Sequence, residues 1–191
     1  MCSHEDRLEL PLRWKKPRMV FVNSMGDLFH EKINLGMIQD VFDVMNRANR
    51  HTFQVLTKRA SRMMALSRFD YINWTPNIWA GVSVESKDFL WRIDELREVP
   101  AHVRFVSFEP LLSDVGRLDL RDIHWVIVGG ETGPGARSME YTWAHNIIKQ
   151  CEVAGVPFFF KKWGGTGKDK NCRKMNGREW NEMPKGARRD E

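Results

Sequence analysis

No stretch of the 191 residues approaches the ~20 consecutive apolar side chains that a membrane-spanning helix requires, so no such span is expected. The first residues, Met1 to Asp6, are polar and charged, which is not how a secretory signal reads. Cysteine is scarce: Cys2, Cys151 and Cys172 are an odd number, far apart. That argues against a disulfide framework and fits a reducing, cytoplasmic compartment. There is no CxxC, hence no sequence signature of a zinc ribbon or a cluster site. GxGxxG and P-loop motifs are missing, as are internal repeats and low-complexity segments. The length is short of the about 250 residues of a complete eight-unit barrel.

What remains is an ordinary globular composition, 42% apolar and 29% charged, long enough to bury a real core. A net charge of +5 permits a nucleic-acid partner without demanding one. Eight Trp supply large surfaces for core or ligand. Six short apolar runs read as strands: Met19–Asn23, Phe53–Lys58, Ile78–Val84, Val103–Pro110, Ile123–Gly130 and Val156–Trp163. Several are nearly continuous, the pattern of strands covered on both faces. Helical periodicity fills the gaps at Ile33–Ala48, Ala60–Arg68, Lys87–Val99 and Met139–Ala154, with Pro100 and Gly155 as stop signals. Leu111–Asp122 is too short for a long helix and predicts a turn or one short helix. Alternating strands and helices imply an α/β fold of mainly parallel strands with right-handed crossovers, either a partial (β/α) barrel or an open doubly wound sheet. We divide the chain into a domain over 1–163 and a basic tail over 164–191, in which Asn176-Gly177 predicts a small hairpin.

In parallel α/β sheets ligands bind at the C-terminal ends of the strands. Each run ends there in polar or charged groups. Asn23, Ser24 and Asp27 follow the first; they suit an amine or hydroxyl ligand, or equally turn and capping chemistry. Thr57, Lys58 and Arg59 follow the second and suit a carboxylate or phosphate. Ser83 and Glu85 end the third. Glu109, wedged between an apolar strand and Pro110, is either a ligand contact or the partner of a buried cation. Gly129, Gly130 and Glu131 bring exposed amides to the fifth end. Lys161, Lys162 and Trp163 combine charge with a stacking surface at the sixth. His30 near Asp27 and Glu31 is too common a spacing to assign a metal.

The segments Phe21–Glu31 (FVNSMGDLFHE), Phe53–Ala60 (FQVLTKRA), Gly81–Glu85 (GVSVE), Arg104–Leu112 (RFVSFEPLL), Trp125–Arg137 (WVIVGGETGPGAR) and Gly155–Gly164 (GVPFFFKKWG) resemble the phage gene-product 37/68 family. That family is a radical-SAM-like domain of unknown function, found in phages and bacteria. The resemblance runs from about Leu8 to Trp180. It implies a partial (β/α) barrel, S-adenosylmethionine as cofactor, and an iron–sulfur cluster held by an N-terminal cysteine motif. This sequence has no such motif and begins inside the family's pattern, so cluster chemistry is not expected of it as it stands. By strand order, the resemblance places Ser24 and Asp27 where the methionine amino group is met. It places Ser83, Glu85, Glu109, Gly129, Gly130 and Glu131 where ribose, carboxylate and adenine are met, with Lys58 beside them.

Two functional readings follow. One is a radical-SAM-like protein lacking its cluster loop. The alternative is a non-catalytic module that binds nucleic acid or a nucleotide through a basic rim of Lys58, Arg59, Lys161, Lys162 and the tail. A first strand without a neighbour on one side would leave Met19–Asn23 as an open edge, which a homodimer would cover.

Overall fold

The computed structural model describes residues 5–23, 26–166 and 168–185. Two short helices, α1 (Glu5–Leu8) and α2 (Leu10–Arg13), lead into β1 (Met19–Val22). Then come α3 (Leu35–Arg47), β2 (Thr52–Thr57), α4 (Ala60–Arg68), β3 (Ile78–Ser83), α5 (Trp91–Arg97), β4 (Arg104–Phe108), β5 (Trp125–Gly129), α6 (Tyr141–Ala154) and β6 (Phe158–Lys162). The six strands pair in chain order, all parallel, in one curled sheet that forms a half-barrel. No described helix is long and apolar enough to cross a membrane.

The elements form where their residues favour them. Asn34 caps α3, its side-chain oxygen accepting the Met37 N–H at 2.8 Å. Gly155 ends α6 in the left-handed conformation, φ 66°. The predicted Lys87–Val99 helix is split into a 3-10 turn over Lys87–Phe89 and α5. Between β4 and β5 the chain makes turns with no helix.

Within the strands, side chains alternate between two faces. Val55, Ala80, Val82, Val106, Phe108, Val128, Phe158 and Phe160 point outward and pack against Phe42, Met63, Leu96, Ile147 and Ile148 of the helices in one continuous core. Trp79, Phe105, Trp125 and Ile127 point inward and form a separate aromatic cluster with Met19, Leu56, Phe159 and Met183.

The tail contains the predicted hairpin. β7 (Lys174–Met175) and β8 (Arg178–Glu179) pair antiparallel through Asn176 and Gly177, both at positive φ, 57° and 77°, as a tight primed turn requires. The chain then runs back along β6. The Phe160 N–H donates to the Trp180 carbonyl, and the Glu182 N–H donates to that of Phe158. Met175 and Trp180 are buried in the outer core. One sheet edge is therefore lined by the tail, while β1 is the other edge.

Candidate functional site: the concave face at the strand ends

The concave face of the half-barrel encloses a cavity of about 830 Å³. Phe105, Trp125, Ile127, Phe159, Leu56 and Phe21 give it an apolar floor. Toward the C-terminal ends of the strands the same inward positions turn polar: Ser83 follows Gly81 on β3, Ser107 and Glu109 follow Phe105 from β4, and Lys161 follows Phe159 on β6. Room for this arrangement comes from two glycines. A Cβ on Gly81 would lie 2.3–2.5 Å from the Phe105 ring, and one on Gly129 would lie 2.8 Å from a Glu109 oxygen. The ring and the carboxylate thus lie directly over backbone.

Two lysine–glutamate pairs face each other across the rim. On one side, Lys58 Nζ lies 2.5 Å from Glu85 Oε1. Glu85 is buried, and Arg92 of α5 holds its other oxygen at 3.0 Å while donating to the Ser83 carbonyl at 2.7 Å. Arg92 is itself buried, stacked at 4.2 Å over Phe89. On the other side, Lys161 Nζ lies 3.0 Å from Glu109 Oε1, and the Ser107 hydroxyl donates to Glu109 Oε2 at 3.0 Å. In both pairs the carboxylate is fixed by a buried neighbour. The lysines are half exposed, 52% and 54%, and ion pairs so open to solvent are weak. Each lysine can therefore leave its glutamate for a ligand anion, and Glu109, which lines the cavity, can accept a ligand cation in its place.

Asp27 works differently. Its carboxylate accepts from the Phe29 N–H at 2.9 Å, the Thr57 hydroxyl at 2.7 Å, the Lys58 N–H at 3.0 Å and Arg59 at 3.0 Å. Four donors fill its accepting capacity. Asp27 ties the β1 loop to the end of β2, and Arg62 of α4 secures that loop through the Phe29, His30 and Ile33 carbonyls. Arg59 also reaches Glu31 at 3.4 Å.

Asp27, Lys58, Arg59, Ser83, Glu109 and Lys161 all line the cavity, and Glu85 stands behind Lys58. Gly129 lies beneath the Glu109 carboxylate, and Gly130 packs against the Trp163 backbone, where a Cβ would lie 1.8 Å from the carbonyl oxygen. Ser24 lies outside the described residues. Three predicted site residues go elsewhere. Glu131 is held by Arg137 at 2.8 and 2.9 Å, and those hydrogen bonds bring its carboxyl down to about 2. Among the described residues the Lys162 side chain reaches the Thr132 hydroxyl, at 3.4 Å. Trp163 packs on Phe160 and Tyr141 and donates to the Lys174 carbonyl. Sequence reasoning missed Ser107, Arg92 and the floor of Phe105, Trp125 and Phe159. Alternation inside VRFVSFEP would have found Phe105, Ser107 and Glu109 as one face.

An iron–sulfur cluster does not fit the described residues. Cys151 is buried in α6 against the outer core, and burial pushes its thiol up to about 12, far from the thiolate a cluster needs. Cys172 lies in the tail, its thiol 4.0 Å from the Lys174 carbonyl. No three His, Cys, Asp or Glu among the described residues converge to hold a metal.

Fold and geometry together define a partial parallel β/α barrel with a polar-rimmed cleft at the strand C-termini. Over residues 1–184 the chain matches the model of a family described as proteins of unknown function, DUF5131, and it belongs to that family. No curated protein and no solved structure matches it.

Proposed function

We propose that the concave face binds a small molecule that joins a flat ring to both a cationic and an anionic group. The observation that carries this reading is the pair of exchangeable Lys–Glu contacts, Lys58–Glu85 and Lys161–Glu109, set over an aromatic floor in one cavity. Ligand sites of parallel α/β folds occur at this end of the strands. S-adenosylmethionine, the cofactor implied by the phage gene-product 37/68 resemblance, belongs to this chemical class. When bound, it would supply a sulfonium centre and an adenine ring. Lys58 and Lys161 offer charge to a carboxylate, Glu109 to an ammonium or sulfonium, and Phe105 and Trp125 an apolar bed for a ring. Arg92 and Ser107 orient the two glutamates, and the buried floor excludes water from the ring. The radical step of the resembled family needs a cluster that the described residues do not fit, so the reading stops at binding.

The test is calorimetric titration of the full chain with S-adenosylmethionine and S-adenosylhomocysteine. Saturable binding, weakened tenfold or more by Lys58→Ala or Lys161→Ala, supports the reading. No heat up to millimolar ligand, or binding untouched by both variants, overturns it.

A further inference from the structure

The chain's net charge is not spread over it. Residues 161–181 hold seven Lys or Arg against two Asp or Glu, which accounts for the whole +5; the charges of 1–160 cancel, as do those of 182–191. Elsewhere many cations are matched, although Arg13, Lys15, Lys16, Arg18, Lys32, Lys87 and Lys149 also form no ion pair among the described residues, their charge being offset by the carboxylates of 1–160. Arg59, Arg92, Arg97, Arg121 and Arg137 all sit on carboxylates. Along β6 and the tail, Lys162, Lys170, Arg173 and Lys174 form no ion pair among the described residues. Like charges gathered without partners repel one another, so such a cluster is stabilised by an external polyanion.

Topology places this cluster on one edge. The Trp163 N–H donates to the Cys172 carbonyl and the Gly164 N–H to that of Lys170, which lays 170–174 against the end of β6. Arg173 reaches Asn181 and stacks at 5.3 Å over Phe159, which is itself part of the cavity floor. Arg173 thus reaches the floor of the aromatic-lined cleft, and Lys162, Lys170 and Lys174 lie along the same sheet edge. Cations that follow a backbone beside aromatic rings that accept bases are the means by which proteins hold single strands.

We propose that the β6–tail edge binds the phosphate backbone of a single-stranded nucleic acid, with bases directed toward the concave face. The charge argument stands by itself; the choice of a single strand rests on the concave face being a ligand site. Of the basic rim expected from sequence, Lys162 and the tail belong to this edge, whereas Lys58, Arg59 and Lys161 stand beside Glu85, Asp27 and Glu109 at the cavity.

The experiment measures fluorescence anisotropy of a labelled oligo-dT of about 20 nucleotides, and of its duplex, against the full chain over a salt series. Four cations on phosphates correspond to a slope of log affinity on log salt of about −3 for a single strand. The charge-reversed variant K162E/K170E/K174E should bind at least tenfold more weakly at ~100 mM salt. The control K32E/K87E/K149E changes net charge equally on other exposed lysines and should stay within threefold. No binding of oligo-dT, equal weakening by both variants, or tighter binding of the duplex overturns the proposal. Calorimetry with S-adenosylmethionine reads the concave face separately, so failure of the edge and failure of the cavity are distinguishable.

Discussion

The two faces of the sheet are built from the same strands and do opposite things. Outward positions in the middle of the strands are aliphatic and aromatic side chains sealed by helices. Inward positions begin as aromatic rings at one end of the strands and become Ser, Glu and Lys at the other. The outer face holds the fold together. The inner face keeps polar groups poised over an apolar floor at some expense of packing, with two glycines supplying the space. A face that carries buried polar groups without closing around them is organised for a ligand rather than for stability.

The largest effect that sharpens this contrast belongs to the outer face. Phe108→Ala, at a fully buried position, should destabilise by about 3–5 kcal/mol in urea denaturation, whereas Phe159→Ala on the half-buried floor should cost about half of that or less. Equal losses would break the contrast. Asp27→Asn should come next, at about 1–3 kcal/mol, because an amide cannot accept from all four donors around it. Thermal unfolding reads it; an unchanged midpoint would mean that the β1 loop is held otherwise. Gly81→Ala should cost about 1–3 kcal/mol by pushing the Phe105 ring, and G81A/F105L should recover part of the loss. If the double variant is worse than Gly81→Ala, the close approach is not the reason for glycine there. Lys161→Met should move stability by less than about 0.5 kcal/mol, since its ion pair is half exposed, yet weaken ligand binding.

The smallest effect concerns pH. Glu131 has its carboxyl lowered from the ordinary value of 4.5 to about 2 by Arg137. Its contribution is therefore complete above about 4.5 and is lost as pH falls toward 2. Carbon-detected NMR titration of the Glu131 carboxyl should show the low midpoint, and Arg137→Gln should raise it. A midpoint near 4.5 in the unaltered chain would mean that the pair does not form in solution.

Much of this was legible in the sequence. The six apolar runs match the six strands within two residues at every end, and Ala60–Arg68 is α4 as predicted. Parallel order follows from the alternation of strand and helix, and the hairpin from Asn176-Gly177. The site was half legible. Strand-end residues such as Lys58, Glu109 and Lys161 carry charge where charge is conspicuous. Which of them meet was not legible, because the pairs Lys58–Glu85 and Lys161–Glu109 join separate strands and depend on how the sheet curls. The near-continuous runs also hid the inner floor. With both faces apolar along most of their length, alternation is visible only where Ser107 and Glu109 interrupt it. The return of Trp180 and Asn181 along β6 has no periodic signal at all, being one short antiparallel contact in a polar tail.

The most direct test of the concave face as the ligand site is a nitrogen-15 spectrum of the tryptophan indoles during titration with S-adenosylmethionine. Trp125 lines the cavity and donates its indole N–H to the Glu182 carbonyl at 2.9 Å, whereas Trp74 and Trp180 are buried in the outer core. Saturable shifts at Trp125, with Trp74 and Trp180 still, are what the account predicts. Shifts at the outer indoles with Trp125 unmoved would contradict it.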